Sequence, residues 1–469
     1  MQTLHVDVAV IGAGTAGLAA YRAARARGAR AVLIEGGPYG TTCARVGCMP
    51  SKLLIAAAEA AHAIERAPGF GVHVDGPLRI DGREVMARVK RERDRFVGFV
   101  LNGVENIPEG DRLRGNATFI DRNTLQVEGG ARVVARTVVI ATGSRPSVPP
   151  VLSKLGDRLV INDDVFSWDD LPKSVAVFGP GVIGLEIGQA LARLGVRVVI
   201  LGRGGRVGPI SDTVVRAAAL KAFAPDFCVD PDAKVARVER VGDEVEIEYV
   251  DCGGKSVTQR FEYVLAATGR VPNIDRLAIE NAKLPLNAVG APAFDRKTLQ
   301  VGDTPVFIAG DAANDMPLLH EAADEGRIAG DNAARFPNIV EGDRRAPLGI
   351  VFTDPQIAIV GGGCATIPKG SFIVGEVSFE DQGRSRVMLR NQGHLRVYAD
   401  SADGRFLGAE MVGPDAEHIG HLLAWAVQMR MTVSQMLSMP FYHPVIEEGL
   451  RTALRDLDAN LQKAQRLAA

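Results

Sequence analysis

Cysteine is scarce in this chain. Five occur in 469 residues, at Cys43, Cys48, Cys228, Cys252 and Cys364. That scarcity excludes a small disulfide-stapled scaffold. A zinc site needs about four ligands. No second close cysteine pair and no nearby H-x-x-x-H completes one here, so no metal is expected. A surplus of either charge is also missing: 54 Lys and Arg stand against 56 Asp and Glu, a net −2. Nothing therefore marks the chain for nucleic acid. No apolar run reaches the roughly eighteen residues needed to span a bilayer, so no membrane partner is expected. The opening "MQTLHVDVAVIGAG" has neither a basic n-region nor a small-residue cleavage site. No signal peptide is expected, and the expected location is the cytoplasm.

Against that background, "TTCARVGCMPSK" (Thr41 to Lys52) stands out, with two of the five cysteines five positions apart. Half a metal site, a structural staple and a redox couple are the candidate explanations. In a reducing compartment a permanent staple is disfavoured, and the ligand count disfavours metal. A redox couple leads, with the electron source still to be found.

The first thirty-five residues hold part of the answer. "VDVAVI" reads as a buried parallel strand. "GAGTAG" follows, with Gly12, Gly14 and Gly17, then a helical stretch stopping at Gly28, then the strand "RAVLIE" ending on Glu35. In this layout Gly12 permits the tight turn, Gly14 lets backbone approach a pyrophosphate, and Gly17 lets helix pack on strand. The helix N-terminus faces the phosphates, and Glu35 can accept from a ribose hydroxyl. The pattern recurs with the strand "SVAVF", the turn "GPGVIG" (Gly179, Gly181, Gly184), a helix to Gly195 and the strand "VRVVIL". Two dinucleotide sites in one chain suggest hydride passed between two cofactors. The second strand ends on Gly202 rather than an acid, and Arg203 and Arg206 follow. A carboxylate there would favour NAD. Glycine and arginine leave room and charge for a 2′-phosphate, so NADP(H) is favoured. Two solvated loop arginines are the plainer alternative.

Together these segments resemble the flavin-dependent pyridine nucleotide–disulfide oxidoreductases, the family of dihydrolipoamide dehydrogenase, glutathione reductase and mercuric reductase. The resemblance runs through "GAGTAG" with Glu35, the cysteine segment, "VVIATGSRP", "VLAATGRVPN", "VFIAGDAA" and "FYHPVIEEG", in the family's order. It implies an α/β protein with two Rossmann-like domains, for FAD and NAD(P), and a C-terminal α+β dimerisation domain. By that resemblance Cys43 is the distal thiol that meets a disulfide substrate, and Cys48 is the proximal thiol over the flavin. Lys52 lies near flavin N5 with Glu186 as its partner. His443 is the base and Glu448 orients it. Thr42, Thr142, Gly143 and Asp311 are implied as further flavin contacts, with Asp311 on the ribityl chain, and Gly269 as a further cofactor contact. The family's homodimer would place the His443 segment in the partner's active site.

Several features bear on the choice within the family. "PSK" and Val182 argue against glutathione, and the presence of His443 without a C-terminal cysteine pair argues against mercury. The nearest description is dihydrolipoamide dehydrogenase-like, although Gly202 and Arg203 conflict with that enzyme's usual NAD preference. The substrate is then a small disulfide or dithiol, a lipoyl domain among the candidates. A reductase of another small disulfide, or a subunit docking to a 2-oxoacid dehydrogenase complex, are the alternatives. Ala44-Arg45 replaces the uncharged pair usual between the cysteines. Arg45 could stabilise a thiolate, attract an acidic substrate, or pack against a carboxylate. His418 and His421 are read as packed or interface residues. Cys228, Cys252 and Cys364 are read as isolated and structural. The expected divisions are 1–149 for FAD, 150–270 for NAD(P), 271–345 completing the flavin site, and 346–469 for dimerisation.

Overall fold

In a computed structural model, which describes residues 3–468, the two valine- and isoleucine-rich runs become parallel strands at the centres of two separate sheets. β-Branched side chains pack well on a pleated surface buried on both faces. Two compact units result. The first gathers 1–50, 89–147 and 269–344; the second gathers 51–88, 148–268 and 345–469. Residues 51–88 thus cluster with the second unit and not with the rest of 1–149.

The first unit is built on a seven-stranded sheet. Thr3–Ile11 lies between Ala31–Glu35 and Arg132–Ile140, parallel to both. Val306–Ile308 adds to the far side of Arg132–Ile140, again parallel. This is how "VFIAGDAA", far along the chain, reaches the N-terminal sheet. Helices Thr15–Ala26 and Leu319–Arg335 cover one face, and Gly326 and Gly330 let them touch: a Cβ on either would sit 2.1 Å from the backbone oxygen of Ala16 or Ala20.

The second unit holds a five-stranded parallel sheet with Ser174–Phe178 at its centre, flanked by Arg197–Leu201 and Tyr263–Ala266. Cys228–Asp230 pairs with Arg197–Leu201 at one edge. Beyond it comes an antiparallel sheet of Val235–Val241, Glu244–Val250 and Ser256–Phe261. The C-terminal part is a five-stranded antiparallel sheet. It contains Phe372–Ser378, His394–Asp400 and Phe406–Gly413, the three strands expected from sequence, with Leu348–Val351 and Gln356–Val360 added. Helices Ala416–Gln428, Val433–Leu437 and Glu447–Ala468 follow, one more than expected. Among the described residues no helix is long and apolar enough to cross a membrane.

The cysteines require a correction. Cys228 and Cys252 are not isolated; they form a disulfide with a Cα–Cα distance of 6.0 Å, within the normal range. Cys252 sits in the turn between Glu244–Val250 and Ser256–Phe261, and Cys228 opens the edge strand. Their separation of 24 residues in sequence hides a proximity that only the folded sheets create. Cys364 is a free thiol.

Candidate active site

The two glycine turns fold as near copies. A Cβ on Gly12 would lie 2.3 Å from the Ala141 oxygen, and one on Gly17 would lie 1.8 Å from the Gly12 oxygen. The matching values are 2.3 Å from Ala267 for Gly179 and 2.0 Å from the Gly179 oxygen for Gly184. Gly12 and Gly179 also have φ of 106° and 110°, in the region that favours glycine. The middle glycines, Gly14 and Gly181, meet nothing within 4 Å. Outer glycines packed shut and a middle glycine left open form a backbone cradle for a phosphate ligand.

In the first unit that cradle opens on a cavity of about 430 Å³, walled by Gly12, Gly14, Glu35, Thr42, Thr142 and Gly143 among others. Glu35 ends its strand there. Its carboxylate accepts the Ala13 N–H at 2.7 Å and the Gly37 N–H at 2.7 Å. Each oxygen keeps a second lone pair for a ribose hydroxyl. The buried Thr142 Oγ1 has no hydrogen-bond partner among the described residues. An orphaned hydroxyl on a cavity wall is the signature of a polar ligand. The residues present therefore fit FAD. Near the cavity, Ser144 Oγ donates to Asp311 Oδ2 at 2.5 Å, and Arg270 donates to Ser144 Oγ at 2.8 Å. Strands Ser144–Pro146 and Arg270–Pro272 pair antiparallel, so the two "ATG" crossings meet, and Gly269 lies in the first unit at that point.

Cys43 lies on the short helix Thr42–Val46 and Cys48 begins the helix Cys48–Arg66. Both are free thiols, Cys43 partly buried and Cys48 exposed. A hydrogen bond to Cys48, followed by burial, pushes the Cys43 thiol far above its ordinary range.

The other expected pairs lie within the second unit. Lys52 Nζ is 2.7 Å from Glu186 Oε2 and stands 4.5 Å over the Phe352 ring. Glu186 is only 4% exposed, and its other oxygen accepts the Phe352 N–H at 2.9 Å. One ammonium and one backbone donor thus satisfy this buried carboxylate. His443 Nδ1 is 2.9 Å from Glu448 Oε2, and Arg451 donates to Glu448 Oε1 at 2.8 Å. Desolvation works against ionised Glu448, but the hydrogen bond from His443 and the surrounding donors outweigh it and lower its pKa. The carboxylate therefore fixes Nδ1 as the protonated nitrogen. Nε2 is left free for proton transfer on a ring whose side chain is 80% exposed.

At the second cradle Gly202 is held tightly. Its N–H donates to the Asp230 carbonyl at 2.6 Å, its carbonyl accepts from Ala233 N–H at 3.1 Å, and Gly205 N–H donates to Pro231 at 3.0 Å. Arg203 and Arg206 are exposed. His418 and His421 share the helix Ala416–Gln428. Among the described residues no group of three or more His, Cys, Asp or Glu is placed to hold a metal.

Sequence reasoning missed Glu325. It is 1% exposed on Leu319–Arg335, accepts the Gly310 N–H at 2.7 Å, and faces Arg344 at 3.0 Å. It thereby braces the turn that carries Asp311. Its helical neighbourhood gave no motif, because the contact is set by tertiary packing. Desolvation raises its pKa from 4.5 to about 7, with Arg344 opposing. Because the folded pKa lies above the unfolded one, the stabilisation from protonated Glu325 is complete below about pH 4.5 and lost as pH rises through 7. Glu325→Gln should therefore flatten the fall in thermal stability between pH 5 and 8. It should gain on the order of 1 kcal/mol over the native chain at pH 8. A parallel fall in both proteins would contradict this.

Residues 6–326 match the model of the pyridine nucleotide-disulphide oxidoreductases, and 348–454 match that family's dimerisation domain. The chain is 33% identical to a dihydrolipoyl dehydrogenase of Haloferax volcanii over 470 aligned positions, covering 95% of each chain. It is 30% identical to a mercuric reductase of Acidithiobacillus ferrooxidans, covering 98% of this chain and 84% of that one. Among solved structures, LpdA of Mycobacterium tuberculosis superposes with a TM-score of 0.81 at 24% identity, covering 97% and 99%. The flavoprotein disulfide reductase RclA of Escherichia coli gives 0.78 at 24%, covering 97% and 99%. With the doubled cradle, the cysteine pair and the dimerisation domain all present, this chain belongs to the pyridine nucleotide-disulphide oxidoreductase family and is a FAD-dependent enzyme of that family.

Proposed function

We propose that the enzyme passes electrons between NADP(H) and a small disulfide or dithiol through Cys43 and Cys48, in the manner of a dihydrolipoamide dehydrogenase, as a cytoplasmic homodimer. The observation that carries this reading is the pair itself: Cys43 and Cys48 stand on successive helices as free thiols, and a hydrogen bond to Cys48, then burial, raises the Cys43 pKa. FAD, when bound, supplies the two-electron relay between nicotinamide and thiols. The protein's own groups handle the protons and charges. Cys43 exchanges with the substrate sulfur. His443, its tautomer set by Glu448, takes the proton that Cys43 must lose. Glu186 holds Lys52 in place through their 2.7 Å ion pair. The deciding experiment pairs dihydrolipoamide, oxidised glutathione, coenzyme A disulfide and mercuric ion with each nucleotide. Starting from the oxidised enzyme, in which Cys43 and Cys48 are joined as a disulfide, two electrons from anaerobic NADPH should also expose two new thiols. No gain in thiols would eliminate the disulfide mechanism.

Arg203 and Arg206 support the preference for NADP(H). Arg203→Gln should lower kcat/KM for NADPH about tenfold, the value of one charge-assisted contact of about 1.4 kcal/mol, and leave NADH unchanged. Equal losses with both nucleotides would refute the assignment. The usual acid cannot simply be restored. A Cβ at Gly202 would lie 2.6 Å from the Pro231 oxygen and 2.7 Å from Pro180 Cγ. Gly202→Glu should therefore cost about 1–3 kcal/mol of stability through overpacking and confer no NAD preference. A stable variant that prefers NADH would show that packing does not close this position.

A further inference from the structure

Arg45 has no counterpart in the uncharged pair that usually separates the family's cysteines, and its surroundings say what it does. It lines the same cavity as Gly12, Gly14, Thr41 and Thr42. Thr42 and Arg45 are three apart on one short helix and share a face, whereas Cys43 and Arg45, two apart, do not. The stem of the side chain is held in place. A Cβ on Gly40 would come within 3.0 Å of Arg45 Cδ and 3.1 Å of its Cγ, and within 3.0 Å of Val97. Gly40, at φ 117°, leaves the space that the stem occupies.

The guanidinium has no carboxylate partner among the described residues. The carboxylates on the cavity wall are already engaged: Glu35 on two backbone N–H groups, Asp275 in a pair with Arg145. A half-buried cation without a carboxylate partner, on the wall of the cavity that also holds the phosphate-binding turn, is suited to an anionic ligand. Of the three readings open from the sequence, the thiolate and the carboxylate fall away, and attraction of an external anion is left. The thiol lies on another face and no carboxylate meets the cation, while the cavity is the one that fits FAD.

We propose that Arg45 binds the pyrophosphate of FAD, adding a side-chain cation to the backbone cradle of Gly12 and Gly14. This deepens the flavin-enzyme reading above and rests on it, but it does not depend on which disulfide is reduced. It assigns the residue to cofactor retention and not to thiol chemistry.

Equilibrium binding to the flavin-stripped full-length protein tests it, followed by flavin fluorescence at two salt concentrations. Arg45→Gln should weaken FAD about tenfold and flatten the salt dependence. ADP, which carries the pyrophosphate without the isoalloxazine, should lose a similar factor when it competes with FAD. Arg45→Lys should recover part of the loss and serves as the readout if the glutamine variant folds poorly. The pH profile of thiol alkylation should not move. Unchanged FAD affinity overturns the proposal. So does a loss for FAD without a loss for ADP, which would place the cation at the isoalloxazine, or a shifted alkylation profile with FAD affinity intact. Failure of the native protein to accept any disulfide would defeat the proposed substrate class while leaving these binding results readable.

Discussion

Cys43→Ser protein should still carry electrons from NADPH to an artificial dye and should have lost disulfide turnover by at least about a thousandfold, because a serine hydroxyl cannot replace a thiolate in disulfide exchange. The two activities separate because they call on different parts of the chain. Dye reduction needs the two cradles and the flavin that the first is shaped to hold. Disulfide exchange needs a nucleophile at Cys43 and its resolving neighbour at Cys48. Thiol counting offers an independent check. Starting from the oxidised pair, anaerobic NADPH should release two thiols in the native enzyme and none in the variant, whose Cys48 has no partner sulfur; the Cys228–Cys252 bond is common to both proteins and drops out of the difference. Normal turnover by the serine variant would mean that the redox couple has been assigned to the wrong cysteines.

Local patterns made much of this site legible. The fingerprint glycines could be read because each answers a steric demand within a single strand–turn–helix: Gly17 must pass the Gly12 carbonyl, and Gly184 must pass that of Gly179. Strand Ser174–Phe178 occupies the residues its valines marked. What escaped was set by packing between distant segments. Glu325 reaches Gly310 only because Leu319–Arg335 folds back along the first sheet, and nothing in "EAADEG" announces it. Cys228 and Cys252 each looked solitary because their meeting depends on how an edge strand lies beside a hairpin turn. Arg45 fell between these cases. Its departure from the family pattern was visible, yet which way it faced depended on a short helix whose register only the fold supplies. The pairing of Lys52 with Glu186, 134 residues apart, came from the family resemblance and from no periodicity in the sequence.

A mixture of Cys43→Ser and His443→Gln chains should recover activity that neither variant has alone. His443 stands about four hundred residues beyond Cys43 in the chain. It lies within the segment 348–454 that matches the dimerisation domain. Its ring is 80% exposed beside Tyr442, itself 80% exposed, as a base would be if offered to another subunit. A thiol must lose its proton to exchange with a disulfide, so Cys43 calls for such a base at hydrogen-bond reach or through one water. A two-fold interface brings the same patches together reciprocally, so each site would take its cysteines from one chain and His443 with Glu448 from the other. In a mixed dimer both lesions then fall in one site, and the other site is whole. Activity per mixed dimer should return to roughly half the native value, because one of two independent sites works. If the cysteines and the base came from the same chain, every site would carry one lesion, and differentially tagged mixed dimers would stay as inactive as their parents.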